Sequence, residues 1–206
     1  PDMDVSAPRT LTARAVAEAV TASGARTVFL SPAAVLNVAR TADELSRSQR
    51  AALGGVAQLL STGAPVSAEL LGSVADLMPA VTAHSPYGMT ECLLVTDITL
   101  PEIRAVADSP DSGVCVGRPV HGAEVRLSAL DAGGAAVGAP AQEPGVLGEI
   151  LVSAPHLKDG YHRLHLTDLA AARDVPDDGR WHRTGDIGHL DGEGRLWIEG
   201  RLAHVV

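Results

Sequence analysis

Aromatic residues and lysine are nearly absent from this chain. Its 206 residues hold only Phe29, Tyr87, Tyr161, Trp181 and Trp197 as aromatics, and Lys158 is the sole lysine. A surface that grips nucleic-acid phosphates needs clustered Lys and Arg, so one lysine in a chain of net charge −9 argues against a nucleic-acid partner. Cysteine is scarce too. Cys92 and Cys115 form no Cys-x-x-Cys motif and read as free, packed thiols. No apolar run approaches the roughly 20 residues of a membrane-spanning helix, and no charged-then-apolar leader opens the sequence. A reducing, cytoplasmic setting without a transmembrane segment is the expectation. Histidines are more plentiful, but His121, His156, His162, His165, His182, His189 and His204 never pair at metal-ligand spacing on a shared helix, which disfavours a structural zinc site.

What the chain does have is enough apolar material for a core. At 46% hydrophobic it can build one large domain or two small ones. From Thr10 to Ser23 the residues Leu11, Ala15, Val16, Ala19 and Val20 recur at helical spacing, with Gly24 where a helix would end. Thr27–Leu30 reads as a buried strand. Ser31 before Pro32 starts a helix towards Arg40, and Ser46 starts another ending near Gly54. Val56–Leu60 reads as a strand, Ser67–Met78 as a helix stopped by Pro79, and Ala80–Ala83 as a strand. Alternating strands and helices predict a largely parallel sheet, whose ligands bind beyond the carboxyl ends of the strands.

The pattern changes across Pro101–Ser112. Beyond it come short alternating segments, Val114–Val116, Glu124–Leu127, Gly148–Val152 and Leu196–Ile198, separated by turns rich in Gly, Pro and Asp. The expected class is therefore α/β plus β, with an α/β portion over 1–112 and a compact β-barrel-like subdomain over 113–206. Asp131–Gly145 reads as a surface hairpin loop, Leu166–Arg173 as a short helix, and Asp191-Gly192-Glu193-Gly194 as a tight hairpin turn rather than a calcium loop. Trp181 and Trp197 read as core anchors.

One stretch concentrates chemistry, His84-Ser85-Pro86-Tyr87-Gly88-Met89-Thr90-Glu91. Pro86 disfavours helix before it, and Gly88 permits backbone angles closed to other residues, so a sharply turned loop could hold the Tyr87 ring against a planar heterocycle. Thr90 offers a hydroxyl to a phosphate, and Glu91 a hard oxygen of the kind Mg²⁺ takes beside substrate phosphates. The eight residues alone equally fit a turn whose tyrosine packs in the core and whose glutamate caps a helix. His84 is open in the same way: it could face a substrate pocket or be a satisfied buried histidine.

Three further stretches share this order along the chain: Ser61-Thr62-Gly63-Ala64-Pro65, Trp181-His182-Arg183-Thr184-Gly185-Asp186, and Trp197-Ile198-Glu199-Gly200-Arg201. The four together resemble the adenylate-forming superfamily of acyl- and aryl-CoA synthetases, luciferases and peptide-synthetase adenylation domains, from about Ala51 to the C-terminus. The resemblance implies that Gly63, Ala64 and Pro65 with Tyr87 and Gly88 hold adenine and phosphate of ATP or AMP. It likewise implies that Thr90 and Glu91 are the catalytic pair, with Glu91 on Mg²⁺, and that Asp186 and Arg201 hold the ribose. Lys158, in Lys158-Asp159-Gly160-Tyr161, resembles a family surface segment.

The family's lysine-ended phosphate loop and its second catalytic lysine have no counterpart here. The resemblance thus implies the C-terminal part of the large N-terminal domain of an adenylate-forming enzyme, with the remainder of the parent on both sides. Pro86–Val95, Gly117-Arg118-Pro119-Val120 and Gly200-Arg201-Leu202-Ala203-His204 most resemble the β-lactone synthetases of long-chain olefin biosynthesis. That implies a carboxylic-acid substrate, a fatty β-hydroxy acid closed on itself through its adenylate. Ala203 replaces the usual acidic or lysine hinge residue, which puts domain rotation and CoA transfer in doubt. The alternatives are a fatty-acyl-CoA ligase of the same family, or a non-catalytic interaction module with remnant motifs.

Overall fold

A computed structural model describes residues 7–204. They divide into two compact units, one running to Pro86 and including Thr99–Ala105, the other comprising Tyr87–Ile98 and the residues from Val106 onward. The expected boundary at 112 differs from this division in a way that matters. Tyr87–Ile98, assigned from sequence to the α/β portion, pairs with the strands of the second unit.

The first unit contains α1 (Ala13–Ser23), β1 (Thr27–Leu30), α2 (Pro32–Arg40), α3 (Arg47–Leu53), β2 (Gln58–Ser61), α4 (Ala68–Ala75), β3 (Thr82–His84) and α5 (Leu100–Ala105). Hydroxyl caps set the helix starts. Thr12, Ser31, Ser46 and Ser67 each accept the backbone N–H three residues on, from Ala15, Ala34, Gln49 and Leu70. Thr12 as cap moves the start of α1 to Ala13 from the expected Thr10, and Gly24 ends it at a φ of 66° with its N–H on Val20 O. The three strands are parallel in the order β1-β2-β3. Val16, Val35, Val38, Leu53, Leu59, Leu71 and Met78 form the core between sheet and helices. Because β2 and β3 are parallel neighbours, the loops leaving Ser61 and His84 emerge on one edge of the sheet. The Thr62 hydroxyl ties them, donating to Pro86 O at 2.7 Å.

The second unit contains β4 (Tyr87–Met89), β5 (Cys92–Asp97), β6 (Val114–Pro119), β7 (Glu124–Ala129), β8 (Gly148–Ser153), α6 (His165–Ala171), β9 (His182–Leu190) and β10 (Leu196–Arg201). The strands form one antiparallel sheet in the order β4-β5-β6-β10-β9-β8-β7. Val95, Val125, Leu127, Ile150, Val152, Leu190 and Leu196 make its core. Trp181 and Trp197 are buried, as expected of anchors, and both cysteines are buried and outside any disulfide. The β9–β10 hairpin turns on Asp191. Its carboxylate accepts the backbone N–H groups of Glu193 and Arg195 at 2.9 Å each, Arg195 Nε at 2.6 Å and Trp197 Nε1 at 2.9 Å. Burial alone would raise this carboxyl, but those four donors outweigh it and hold it at about 2. Among the described residues no helix is long and apolar enough to cross a membrane.

Candidate functional site

Two irregularities in β9 and β10 build the centre of the second unit. Along β8 and β9, Glu149 pairs with Ile187 and Leu151 with Arg183, so Thr184, Gly185 and Asp186 together stand opposite Ile150 alone. The surplus loops out as a bulge. Gly185 takes a φ of +73° that disfavours any other residue, and the bulge is pinned to β8 by Thr184 Oγ1 donating to Ile150 O at 2.9 Å and Gly185 N donating to Glu149 Oε1 at 3.3 Å. On the other flank Gly200 pairs with Ile187 and Arg201 with Asp186, leaving Glu199 as an extra residue. Its Oε1 lies 2.8 Å from His189 Nδ1.

The bulges bring Asp186 and Arg201 side by side. Arg201 Nε lies 3.1 Å from Asp186 Oδ1, and Arg201 Nη1 donates to Thr184 O at 3.2 Å. Tyr87 completes the group by donating its hydroxyl to Asp186 Oδ2 at 2.6 Å. Burial first, and the Asp186 charge second, raise the phenol far above its ordinary value, so Tyr87 is a neutral donor at every physiological pH. Tyr87, Asp186 and Arg201, separated widely in sequence, are thus one cluster.

Tyr87 sits on a strand, where a sharply turned loop was expected. β4 and β5 form a hairpin in which Met89 pairs with Cys92, and Thr90-Glu91 is its two-residue turn. Gly88 does not need a positive φ, contrary to the sequence expectation. It must be glycine because a Cβ there would lie 2.8 Å from Cys92 O and 2.9 Å from Leu93 Cδ1.

Thr90 is exposed at the turn and Glu91 half-buried. Glu91 Oε1 accepts the Tyr161 hydroxyl, which lowers the carboxyl below its ordinary range. Around it lies a group that spacing did not reveal. Lys158 N donates to Glu91 O at 2.8 Å, the Lys158 ammonium pairs with Asp168, Tyr161 N donates to Asp168 Oδ2 at 2.7 Å, and Lys158 Nζ lies 4.1 Å from the Tyr161 ring centroid. Lys158 is therefore not the surface residue expected from sequence, since Asp168 and Tyr161 enclose it. Burial, seconded by the Lys158 charge, lowers nearby His182 below its ordinary value. Glu91, a carboxylate beside the exposed Thr90, is a hard oxygen donor of the kind magnesium takes alongside nucleotide phosphates; among the described residues no cluster of three His, Cys, Asp or Glu would make an all-protein cage.

Gly63, Ala64, Pro65 and His84 belong to the first unit. The three loop residues are exposed after β2, and Gly63 turns the chain at a φ of +99°. His84 ends β3 and bridges Thr99.

A family model described as AMP-binding enzyme matches residues 4–162. The chain is similar to the olefin β-lactone synthetase of Xanthomonas campestris pv. campestris, at 36% identity over all of this chain and 37% of that protein. It is similar to the olefin β-lactone synthetase of Stenotrophomonas maltophilia at 33% identity, again over all of this chain and 38% of the relative. Among solved structures, PA1221, an NRPS protein containing adenylation and PCP domains, superposes with a TM-score of 0.69 at 25% identity, covering 93% of this chain and 36% of that one. The chain spans 37–38% of the length of the two curated relatives.

Proposed function

Because the chain belongs to the AMP-binding enzyme family, we propose that it is the nucleotide-holding part of an ATP-dependent, AMP-forming ligase that adenylates a carboxylic acid. In that reaction the acid's carboxylate oxygen attacks the α-phosphate of ATP, an acyl-phosphate bond forms and pyrophosphate leaves. Asp186 accepts the ribose hydroxyls, with Arg201 beside it. Tyr87 presents its ring to the adenine, and the Gly63-Ala64-Pro65 loop and Gly88 supply close backbone approach. Thr90 donates to the α-phosphate, and Glu91 holds Mg²⁺. The metal, when bound, neutralises phosphate charge and orients the leaving group. No protein nucleophile is needed, so the residues act by positioning and charge compensation.

The observation that carries this reading is the Tyr87–Asp186–Arg201 cluster, in which an aromatic ring, a carboxylate acceptor and a guanidinium are held by two bulges. As to substrate, we take it to be a long-chain β-hydroxy acid closed to a β-lactone; the names of the Xanthomonas and Stenotrophomonas relatives support this.

Calorimetric titration of the 206-residue chain with AMP and ATP tests the nucleotide reading. The sole lysine, Lys158, is already paired with Asp168, so no lysine is left for the β- and γ-phosphates, and ATP should bind no tighter than AMP. The chain alone should release no pyrophosphate with β-hydroxy or simple fatty acids. Absence of AMP binding by the folded chain would favour the non-catalytic module, and turnover by this chain alone would refute the account of what it lacks.

A further inference from the structure

Glu149 and Arg183 form a buried ion pair through Glu149 Oε2 and Arg183 Nη1, with side chains only 7% and 8% exposed. Taking two charges out of water is costly, and an apolar pair of similar volume is often as stable. The pair therefore calls for a reason other than stability. Its hydrogen bonds supply one. Arg183 is the last paired residue before the bulge and Gly185 is the bulge's middle, and Glu149 reaches both, giving Oε2 to the guanidinium and Oε1 to the Gly185 amide at 3.3 Å. Arg183 is itself fixed, its Nε donating to Arg173 O at 2.9 Å and its Nη2 to Ser128 Oγ at 3.3 Å. Asp186 N donates to Thr184 Oγ1 at 3.0 Å, closing the bulge on itself. An apolar pair would fill the same space and leave the Gly185 amide without its acceptor.

We propose that Glu149, locked by Arg183, is a positioning residue that fixes the Thr184–Gly185–Asp186 bulge, and so aims the Asp186 carboxylate at the two hydroxyls of a bound ribose. The inference rests on Asp186 being the ribose acceptor. Tyr87 and Arg201 each occupy one Asp186 oxygen, so the hydroxyls must meet the remaining lone pairs. A small tilt of the bulge misses them, because bound geometry tolerates only about half an ångström of error.

The test is titration of the 206-residue chain with AMP and with 2′,3′-dideoxy-AMP, which lacks both hydroxyls. The pair Glu149→Leu/Arg183→Leu removes both charges together and avoids an unpaired buried arginine. It should melt cooperatively, lose about tenfold in AMP affinity, the equivalent of one charge-assisted hydrogen bond, and lose nothing towards dideoxy-AMP. Adding Asp186→Ala to it should cost less than Asp186→Ala costs the wild-type chain. Glu149→Gln/Arg183→Leu restores an oxygen for the Gly185 amide and should recover most of the loss, and it serves as the reporter if the leucine pair fails to fold. Undiminished AMP binding by the folded leucine pair, or equal losses for both ligands, overturns the proposal. If Asp186→Ala alone leaves AMP affinity unchanged, the ribose reading has failed instead. Positioning of the bulge is then decided by hydrogen exchange at the Gly185 amide, where faster exchange in the leucine pair sustains it and unchanged protection refutes it.

Discussion

The Tyr87 hydroxyl donates to Asp186 Oδ2 at 2.6 Å across 99 positions of sequence. The bond makes two residues with separate expected duties, adenine and ribose, into one unit. Fixing the phenol oxygen fixes the far end of the ring's long axis, so whatever orients the carboxylate also sets where the ring lies.

Coupling between them should therefore be measurable. Asp186→Ala should weaken AMP binding by at least about tenfold, since charge-assisted bonds contribute roughly 1.5–3 kcal/mol each. Tyr87→Phe should weaken it less. The double variant should fall short of the sum of the two by about 1 kcal/mol or more, because contacting residues are non-additive. Strict additivity in the four calorimetric affinities would show that the bond has no bearing on the ligand.

Glu91→Gln should separate binding chemistry from folding. The amide oxygen can still accept the Tyr161 hydroxyl, so the thermal midpoint should move little, while on the proposed function Mg²⁺-dependent pyrophosphate release by a longer protein carrying this chain should fall sharply. Equal release by variant and wild type would remove the metal role.

Acid should loosen the β9–β10 hairpin in a particular window. Asp191 lies at about 2 when folded against an ordinary value of 3.8. A depressed carboxyl contributes its stability above the ordinary value and loses it as pH falls through the folded one, here from about pH 4 towards about pH 2. Asp191→Asn should be less stable at pH 7, and its melting temperature should fall less steeply across that window. Parallel curves for the two proteins would contradict the assignment.

Glycines of the second unit should differ widely in tolerance. Gly117 has a φ of +81°, and a Cβ there would stand 1.8 Å from Asp97 O, so Gly117→Ala should cost more than about 2 kcal/mol by denaturant unfolding. Gly192 has nothing within 4 Å of its would-be Cβ, and Gly192→Ala should stay within about 1 kcal/mol of wild type. Similar losses at both positions would count against the Gly117 clash.

Much of the first unit was legible because its signals are local. A serine three residues ahead of a helical amide, or a glycine after an apolar stripe, acts within one turn of chain, and Ser31, Ser46 and Gly24 all do what their positions predict. Strand β9 escaped notice for the opposite reason. His182–Leu190 is the longest strand of the second unit, yet its bulge interrupts the two-residue alternation by which strands are recognised. The setting of Glu91 was hidden as well. Tyr161 lies 70 residues from it, and only the pairing of distant strands brings the two together. Thr90 and Glu91 could be named as candidates from their neighbours in sequence, but Lys158 and Asp168 could not.

The bulge in β9 has an arithmetic of its own. Between the pairs Glu149–Ile187 and Leu151–Arg183, β8 advances two residues and β9 advances four. Both numbers are even. Side chains along a strand change face at every step, so an even surplus keeps the two halves of β9 in phase by alternation alone, whereas the single extra residue at Glu199 in β10 needs its own bulge to take up the odd step. A change of two in the length of the hook that carries Asp186 would keep that phase, whereas a change of one would have to be absorbed by a further local distortion of the bulge.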